Sequence, residues 1–110
     1  MKSRSAVRSK KPSARASVET ALQKLRSDID RSDRELLHAL GLRFKAVGKI
    51  GKLKVAHGLP FLQTSRWEEV MKERMQWGLK CGLEPSFVIL LYQSIHQEAL
   101  RVQETIRSKK

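Results

Sequence analysis

A single apolar stripe runs through the first half of the sequence. Its members recur at steps of three and four, or the sum of the two, as they do along one face of an α-helix: Val18, Leu22, Leu25, Ile29, Leu36, Leu40, Val47 and Ile50. A helix from Val18 to Lys54 would be about 55 Å long at 1.5 Å per residue, whereas a compact domain of this size is only about 30 Å across. The stripe therefore predicts a long first helix that finds a partner chain.

Three glycines, Gly41, Gly48 and Gly51, stand within this predicted helix. Each interior glycine costs about 1 kcal/mol relative to alanine, so the three count against an unbroken helix. On a helical wheel Gly41 and Gly48 lie away from the main stripe, where a missing side chain lets another helix approach closely. We interpret them as places of close approach.

Two further helices follow the first one. Ser17 is a good N-cap for the first helix, and the sequence His57-Gly58-Leu59-Pro60 ends it. Ser65 and Glu68 match a capping box, which predicts a second helix from about Arg66 to Lys80 that stops at Gly82. Pro85 suits the first turn of a third helix, whose apolar positions are Val88, Tyr92, Ile95, Ala99, Val102 and Ile106. The expected fold is all-α, with three helices.

The net charge of +12 invites a nucleic-acid interpretation, so its distribution matters. Residues 1–17 hold six basic and no acidic residues, and residues 18–110 hold seventeen basic and eleven acidic ones, so each part carries +6. We interpret residues 1–17 as a disordered, solubilising tail and residues 18–110 as one helical domain. A nucleic-acid or organelle-targeting arm is the alternative for the tail.

Cysteine, histidine and apolar content restrict the chemistry further. The one cysteine, Cys81, allows neither an intramolecular disulfide nor a cysteine-based metal site. His38, His57 and His96 lack the close helical spacing of a zinc site, so we expect no metal and interpret them as surface or packing residues. No apolar run is long enough to span a bilayer or resembles a secretory signal, so we expect a soluble, cytoplasmic protein.

Two cations interrupt the apolar stripe of the first helix. Arg43 and Lys54 fall within the same band as Val47 and Ile50 on a helical wheel. Burying a cation costs several kcal/mol unless an anion or hydrogen bonds compensate, so an anionic ligand would resolve the conflict. The alternative is that both side chains extend to solvent or pair with an acid such as Glu98.

Two further positions extend the candidate pocket. On the predicted third helix Gln103 shares a face with Tyr92, His96 and Ala99. Arg26 points about 100° away from Arg43 on the wheel of the first helix, and in a dimer of long helices that face can reach the pocket of the partner.

The order of these residues resembles the all-helical chorismate mutase family over nearly all of residues 18–106. The similarity lies in Leu25-Arg26-Ser27-Asp28-Ile29-Asp30, Asp33, Leu36-Leu37, Arg43, Ile50-Gly51-Lys52-Leu53-Lys54, Leu59-Pro60, Arg66, Gly82-Leu83, Phe87 and Gln103. The resemblance implies an intertwined homodimer in which each active site takes one arginine, Arg26, from the neighbouring subunit.

The resemblance also implies the chemistry. Arg43 and Arg66, with Arg26, would hold the carboxylates of the dianionic substrate, and Lys54 and Gln103 would donate hydrogen bonds to its ether oxygen. The reaction would be the [3,3] rearrangement of chorismate to prephenate in phenylalanine and tyrosine biosynthesis. It needs neither a nucleophile nor proton transfer, so no cofactor or metal is expected.

Three substrate-binding positions depart from the family pattern. Gln63, Trp67 and Ala99 stand where the family usually has Asp, Glu and Ser. The usual glutamate helps recognise the substrate hydroxyl, and an indole ring cannot accept that hydrogen bond. Gln63 or the backbone is expected to substitute for it.

Three rival functions stay open at this point. An isochorismate-pyruvate lyase shares the fold and the basic pocket, and we favour the mutase because it is the commoner activity. A basic helical module that binds nucleic acid is the alternative from a different class. The third is a relative without activity of its own that regulates another enzyme of the shikimate pathway.

Overall fold

The computed structural model describes residues 13–109, and these form three α-helices in the order expected. They are α1 (Ala14–Ala56), α2 (Thr64–Lys80) and α3 (Pro85–Ser108). The all-α prediction is therefore confirmed. Of the proposed tail, residues 1–12 lie outside the described residues.

The first helix begins four residues before the predicted start. The hydroxyl oxygen of Ser13 accepts a hydrogen bond from the amide of Ala16 at 3.0 Å, so Ser13 caps the helix. Ser17 lies inside the first turns, and its amide donates to the carbonyl of Ser13 at 2.9 Å. The prediction of Ser17 as the N-cap is wrong because two serines competed for the position.

The described chain divides into two units, with the boundary between residues 39 and 40. The described part of the first unit is the N-terminal stretch of α1, whose apolar side chains are largely exposed; Val18, Leu25, Ile29 and Leu36 are 52–58% exposed. The second unit holds the rest of α1 together with α2 and α3. Its core is small and consists of Val47, Phe61, Val70, Val88 and Ile95.

The glycines of α1 do not interrupt the helix, and two of them lie against α3. A Cβ atom added to Gly51 would lie 3.0 Å from Cγ of Gln103, and one added to Gly48 would lie 3.6 Å from Cδ1 of Ile106. Gly41 has no such neighbour within 4 Å among the described residues. Close approach is thus confirmed at Gly48 and is tightest at Gly51, whereas at Gly41 the described chain shows none.

Two helices end with the same glycine-dependent turn. Gly58 follows α1 with φ +64°, and Gly82 follows α2 with φ +79°. In each case the next amide closes the turn: Leu59 donates to the carbonyl of Lys54 at 2.8 Å, and Leu83 donates to that of Gly78 at 2.9 Å. Only glycine adopts such a φ without strain, so the predicted ends at Gly58 and Gly82 are confirmed.

The starts of α2 and α3 follow different rules. Pro85 is the first residue of α3, as predicted. In contrast, α2 begins at Thr64 with Gln63 as its N-cap, and no side chain caps it. The predicted capping box of Ser65 and Glu68 is therefore wrong, because the helix already includes both residues.

No described helix has an apolar stretch long enough to cross a membrane.

Candidate active site

A cavity of about 230 Å³ opens within the second unit, where α1, the loop before α2, α2 and α3 meet. Apolar side chains form much of its wall. Of the eight residues predicted as site residues, seven line it: Arg43, Lys54, Gln63, Arg66, Trp67, Ala99 and Gln103. The helical spacing of Arg43 and Lys54 places both on the face of α1 that also presents Val47 and Ile50 to the cavity.

Arg43 reaches the cavity from α1 and is partly buried. Burial lowers the pKa of its guanidinium, Tyr92 opposes this, and the charges of Arg74 and Arg66 lower the pKa further. The Arg43 Cζ atom lies 6.0 Å from the centre of the Tyr92 ring. Within residues 13–109 no carboxylate forms a salt bridge with Arg43, so the positive charge is available to a ligand.

The acid proposed as an alternative partner is engaged elsewhere. Glu98 accepts two hydrogen bonds from Arg101, at 2.8 Å and 2.6 Å. The hydrogen bonds from Arg101 hold the pKa of the Glu98 carboxyl below its usual value. Pairing of Glu98 with Arg43 or Lys54 is therefore not what stabilises these two cations.

Lys54 is partly buried, and a backbone carbonyl fixes its ammonium group. The Nζ atom of Lys54 donates to the carbonyl oxygen of Phe61 at 2.8 Å. The Phe61 side chain is itself buried and lies under the Arg107 guanidinium, whose Cζ is 4.3 Å from the ring centre. An ammonium group has three donors, so two of them stay available to a ligand.

Gln103 is the most buried polar residue of the described chain, at 5% exposure. Its Nε2 atom donates to the carbonyl oxygen of Val47 at 3.4 Å, which joins α3 to α1. The absent side chain of Gly51 gives Gln103 the space to lie there. The second N–H of the amide is free to point into the cavity.

Arg66, on α2, is held less firmly than Arg43 and Lys54. Arg66 lines the cavity, but its side chain is 56% exposed and pairs with Glu69 one turn further along α2. Such an exposed pair contributes little stability, so a carboxylate ligand can displace Glu69 at small cost. Gln63 is exposed at the N-cap of α2, and Ala99 contributes only a methyl group to the wall.

Two aromatic rings form one corner of the cavity. The rings of Trp67 on α2 and His96 on α3 lie 4.2 Å apart between centroids, at an interplanar angle of 30°. Burial lowers the pKa of His96, and the nearby charge of Arg43 lowers it further. His96 was interpreted from the sequence as a surface or packing residue, although its spacing from Ala99 and Gln103 already placed it on their face.

Arg26 is the one predicted site residue that does not line the cavity. It is exposed on α1 in the first unit. Its expected role in the site of a second subunit stays a prediction.

No aspartate or glutamate is among the residues that line this cavity. The basic side chains of Arg43, Lys54 and Arg66 and the buried amide of Gln103 therefore line a space with apolar walls, which favours a small molecule with more than one negative charge.

A second, larger groove of about 820 Å³ lies between α1 and α3. This groove is open and mainly apolar, and its lysines are exposed at the rim. It therefore lacks the buried polar groups that fix the orientation of a small ligand.

The fold and this cavity define an all-helical protein with a cavity lined by Arg43, Lys54 and Arg66. The family model for chorismate mutase type II matches residues 25–104, and the chain therefore belongs to this family of isomerases.

Individual relatives agree with this assignment. The chain is 32% identical over 88 residues to a 4-amino-4-deoxychorismate mutase of Streptomyces venezuelae, covering 80% of this chain and 85% of the relative. It is 29% identical to a 4-amino-4-deoxychorismate mutase of Streptomyces pristinaespiralis, covering 81% and 69%. It is 35% identical over 68 residues to the T-protein of Haemophilus influenzae, covering 62% of this chain and 18% of that protein.

Proposed function

We propose that the chain converts chorismate to prephenate by an intramolecular [3,3] rearrangement. The observation that carries the proposal is the meeting of Arg43, Lys54 and Gln103 in one cavity whose lining contains no acid. Chorismate carries two carboxylates and an ether oxygen, which are the groups that such a cavity can bind.

The arginines supply the part of catalysis that comes from orientation. Arg43 and Arg66 bind the two carboxylates through their planar guanidinium groups, which match a carboxylate in two hydrogen bonds. The flexible dianion is thereby held in a compact, chair-like form with its two reacting carbons close together. The entropy of folding the substrate is then lost on binding and not in the reaction step.

Lys54 and Gln103 supply electrostatic stabilisation. In one step the ether C–O bond breaks and a C–C bond forms, while negative charge grows on the ether oxygen. Donors aimed at this oxygen stabilise the transition state more than the bound substrate. The hydrogen bonds of Lys54 to Phe61 and of Gln103 to Val47 support this role, because they hold both donors in position beforehand.

The active unit in this proposal is a homodimer. The exposed apolar stripe of α1, with Leu25, Ile29 and Leu36, supports it, because a contiguous apolar face of this kind needs a cover. A second copy of α1 would cover the stripe and bring its own Arg26 to the site as a third carboxylate ligand. The product would serve phenylalanine and tyrosine synthesis.

We also expect the enzyme to act in the cytoplasm. The single cysteine, Cys81, is free and exposed, which suits a reducing compartment. Fractionation of the native cell, with the mutase assay as readout, tests this expectation.

Incubation of the purified protein with chorismate, and separately with isochorismate, tests the reaction. Prephenate should form from chorismate, and salicylate with pyruvate should not form from isochorismate. Arg43→Ala should abolish turnover, whereas Lys45→Ala, an exposed cation two residues along α1, should not. Salicylate formation would identify a lyase, and inertness toward both substrates would overturn the proposed function.

A further inference from the structure

The corner formed by Trp67 and His96 is the part of the cavity that the proposed reaction leaves without a role. In the proposed binding mode the arginines take the two carboxylates, and Lys54 and Gln103 take the ether oxygen. The one polar group of chorismate that then lacks a partner is its ring hydroxyl, which needs a hydrogen-bond acceptor. The lining contains no carboxylate to accept it, and Gln63, which the sequence suggested for this role, is exposed at the N-cap of α2.

We propose that His96 is the acceptor for this hydroxyl and that His96, together with the two cations beside it, makes the site selective for a hydroxyl over an amino group at the same ring position. This inference rests on the proposed function. His96 would then be a specificity-determining residue, and the substituent that it recognises would be the ring hydroxyl.

The contact with Trp67 makes His96 suitable for the task. The Trp67 ring lies against the face of the His96 imidazole, with 4.2 Å between the centroids, so the contact restrains the imidazole and leaves the nitrogens at its edge uncovered by the indole. The indole N–H can donate a hydrogen bond but the ring has no acceptor, so within this pair only the imidazole can accept a hydrogen bond from the substrate. Trp67 is accordingly a positioning residue.

The charges around the corner act against an amino group. Arg43 from α1 and Arg66 from α2 line the same cavity, and Tyr92 on α3 lies against Arg43. A substrate ammonium group would meet these two cations, whereas Glu69, the carboxylate that pairs with Arg66, is not among the residues that line the cavity. Burial and Arg43 both lower the pKa of His96, so its ring is neutral at neutral pH and keeps a lone pair for the hydroxyl.

Two substrates and two histidine variants test the inference. We expect kcat/KM for chorismate to exceed that for 4-amino-4-deoxychorismate at least tenfold at pH 7.5. His96→Phe keeps a ring against Trp67 but removes the acceptor, so it should lower kcat/KM for chorismate tenfold to a hundredfold and leave the amino substrate nearly unchanged. His57→Gln, an exposed histidine after α1, is the matched control and should change neither value.

The pH profile of kcat/KM distinguishes an acceptor role of His96 from a purely structural role, because a purely structural role would not change with protonation of His96. Protonation of His96 removes its acceptor, so kcat/KM for chorismate should fall as the pH drops below the usual histidine value of about 6.5, and His96→Phe should lack this limb. Equal loss on both substrates in His96→Phe, or a wild-type preference for the amino substrate, would overturn the inference while leaving mutase chemistry intact. Absence of any chorismate turnover would instead overturn the proposed function.

Discussion

Lys54 is the residue on which the proposed chemistry depends most. Its ammonium group is held by the Phe61 carbonyl at 2.8 Å, so its position is set by the loop between α1 and α2 as well as by its own helix. A donor that is fixed before the substrate arrives stabilises developing charge without paying for reorganisation at the moment of reaction.

Lys54→Ala is therefore expected to lower kcat by at least about a hundredfold, the size of effect typical for loss of one preorganised donor. Lys52→Ala removes an exposed cation two residues earlier on α1 and serves as the control. Steady-state kinetics on both variants, with circular dichroism to show that each is folded, makes the comparison. A near-normal kcat in folded Lys54→Ala would remove this residue from the mechanism.

The two halves of the cavity differ in how far the sequence predicted them. Arg43 and Lys54 could be found because a charge in an apolar stripe is visible on a helical wheel. The stacking of His96 on Trp67 joins two helices that are far apart in sequence. Spacing within α3 placed His96 on the right face, but only tertiary packing shows which ring from α2 meets it.

At the scale of the elements, the contact of α2 with α3 depends on a missing side chain. Gly78 is buried, and a Cβ atom there would lie 2.6 Å from Cγ2 of Val88, the most buried apolar residue. Valine is stiff about its first side-chain torsion, so it cannot rotate aside cheaply. The two helices would have to separate.

Gly78→Ala should therefore lower the free energy of unfolding by about 1 to 3 kcal/mol, despite the better helix propensity of alanine. Urea unfolding at one fixed protein concentration measures this change. An unchanged or increased stability would show that α2 and α3 are packed less closely than described.

Gly41→Ala is the matched comparison because Gly41 has no neighbour within 4 Å in the described chain. Here alanine should stabilise the helix by about 0.5 to 1 kcal/mol. A loss of stability at Gly41 would indicate that a helix from a second copy packs against it.

Helix ends show which sequence rules were reliable. The glycines after α1 and α2 were found because a positive φ has a strong residue preference. The starts were misplaced, since serine and threonine are common near both helices and the caps differ by only about 1 kcal/mol. At α1 the hydroxyl of Ser13, and not that of Ser17, accepts the capping hydrogen bond, so the helix starts about one turn earlier than predicted.

For the whole molecule, each active site of the proposed homodimer is shared between two chains. Arg26→Ala and Lys54→Ala should each be nearly inactive alone. After mixing, unfolding and refolding in equal amounts, half of the dimers contain one chain of each kind, and each of these has one complete site. About a quarter of the wild-type activity should return.

Native mass spectrometry of isotope-labelled and unlabelled chains provides the control, because it shows directly that subunits have exchanged. Exchange without recovered activity would place Arg26 outside the site. A monomer in solution would contradict the dimer itself.

The sequence predicted the need for a partner chain from one property, the mismatch between the length of an apolar stripe and the size of a domain. It could not say which side chains the partner contributes, because wheel geometry gives the direction of Arg26 but no distance. The described chain leaves this part of the prediction untested.

The acid-free lining of the cavity has a consequence for how the enzyme should be handled. Before substrate arrives, the basic side chains of Arg43, Lys54 and Arg66 attract small anions from the solution, and a dianionic substrate must displace these anions. Sulfate, phosphate and citrate buffers should thus act as competitive inhibitors, raising KM while leaving kcat alone. Because rearrangement preserves both carboxylates, prephenate should compete in the same way, and progress curves should slow well before chorismate runs out.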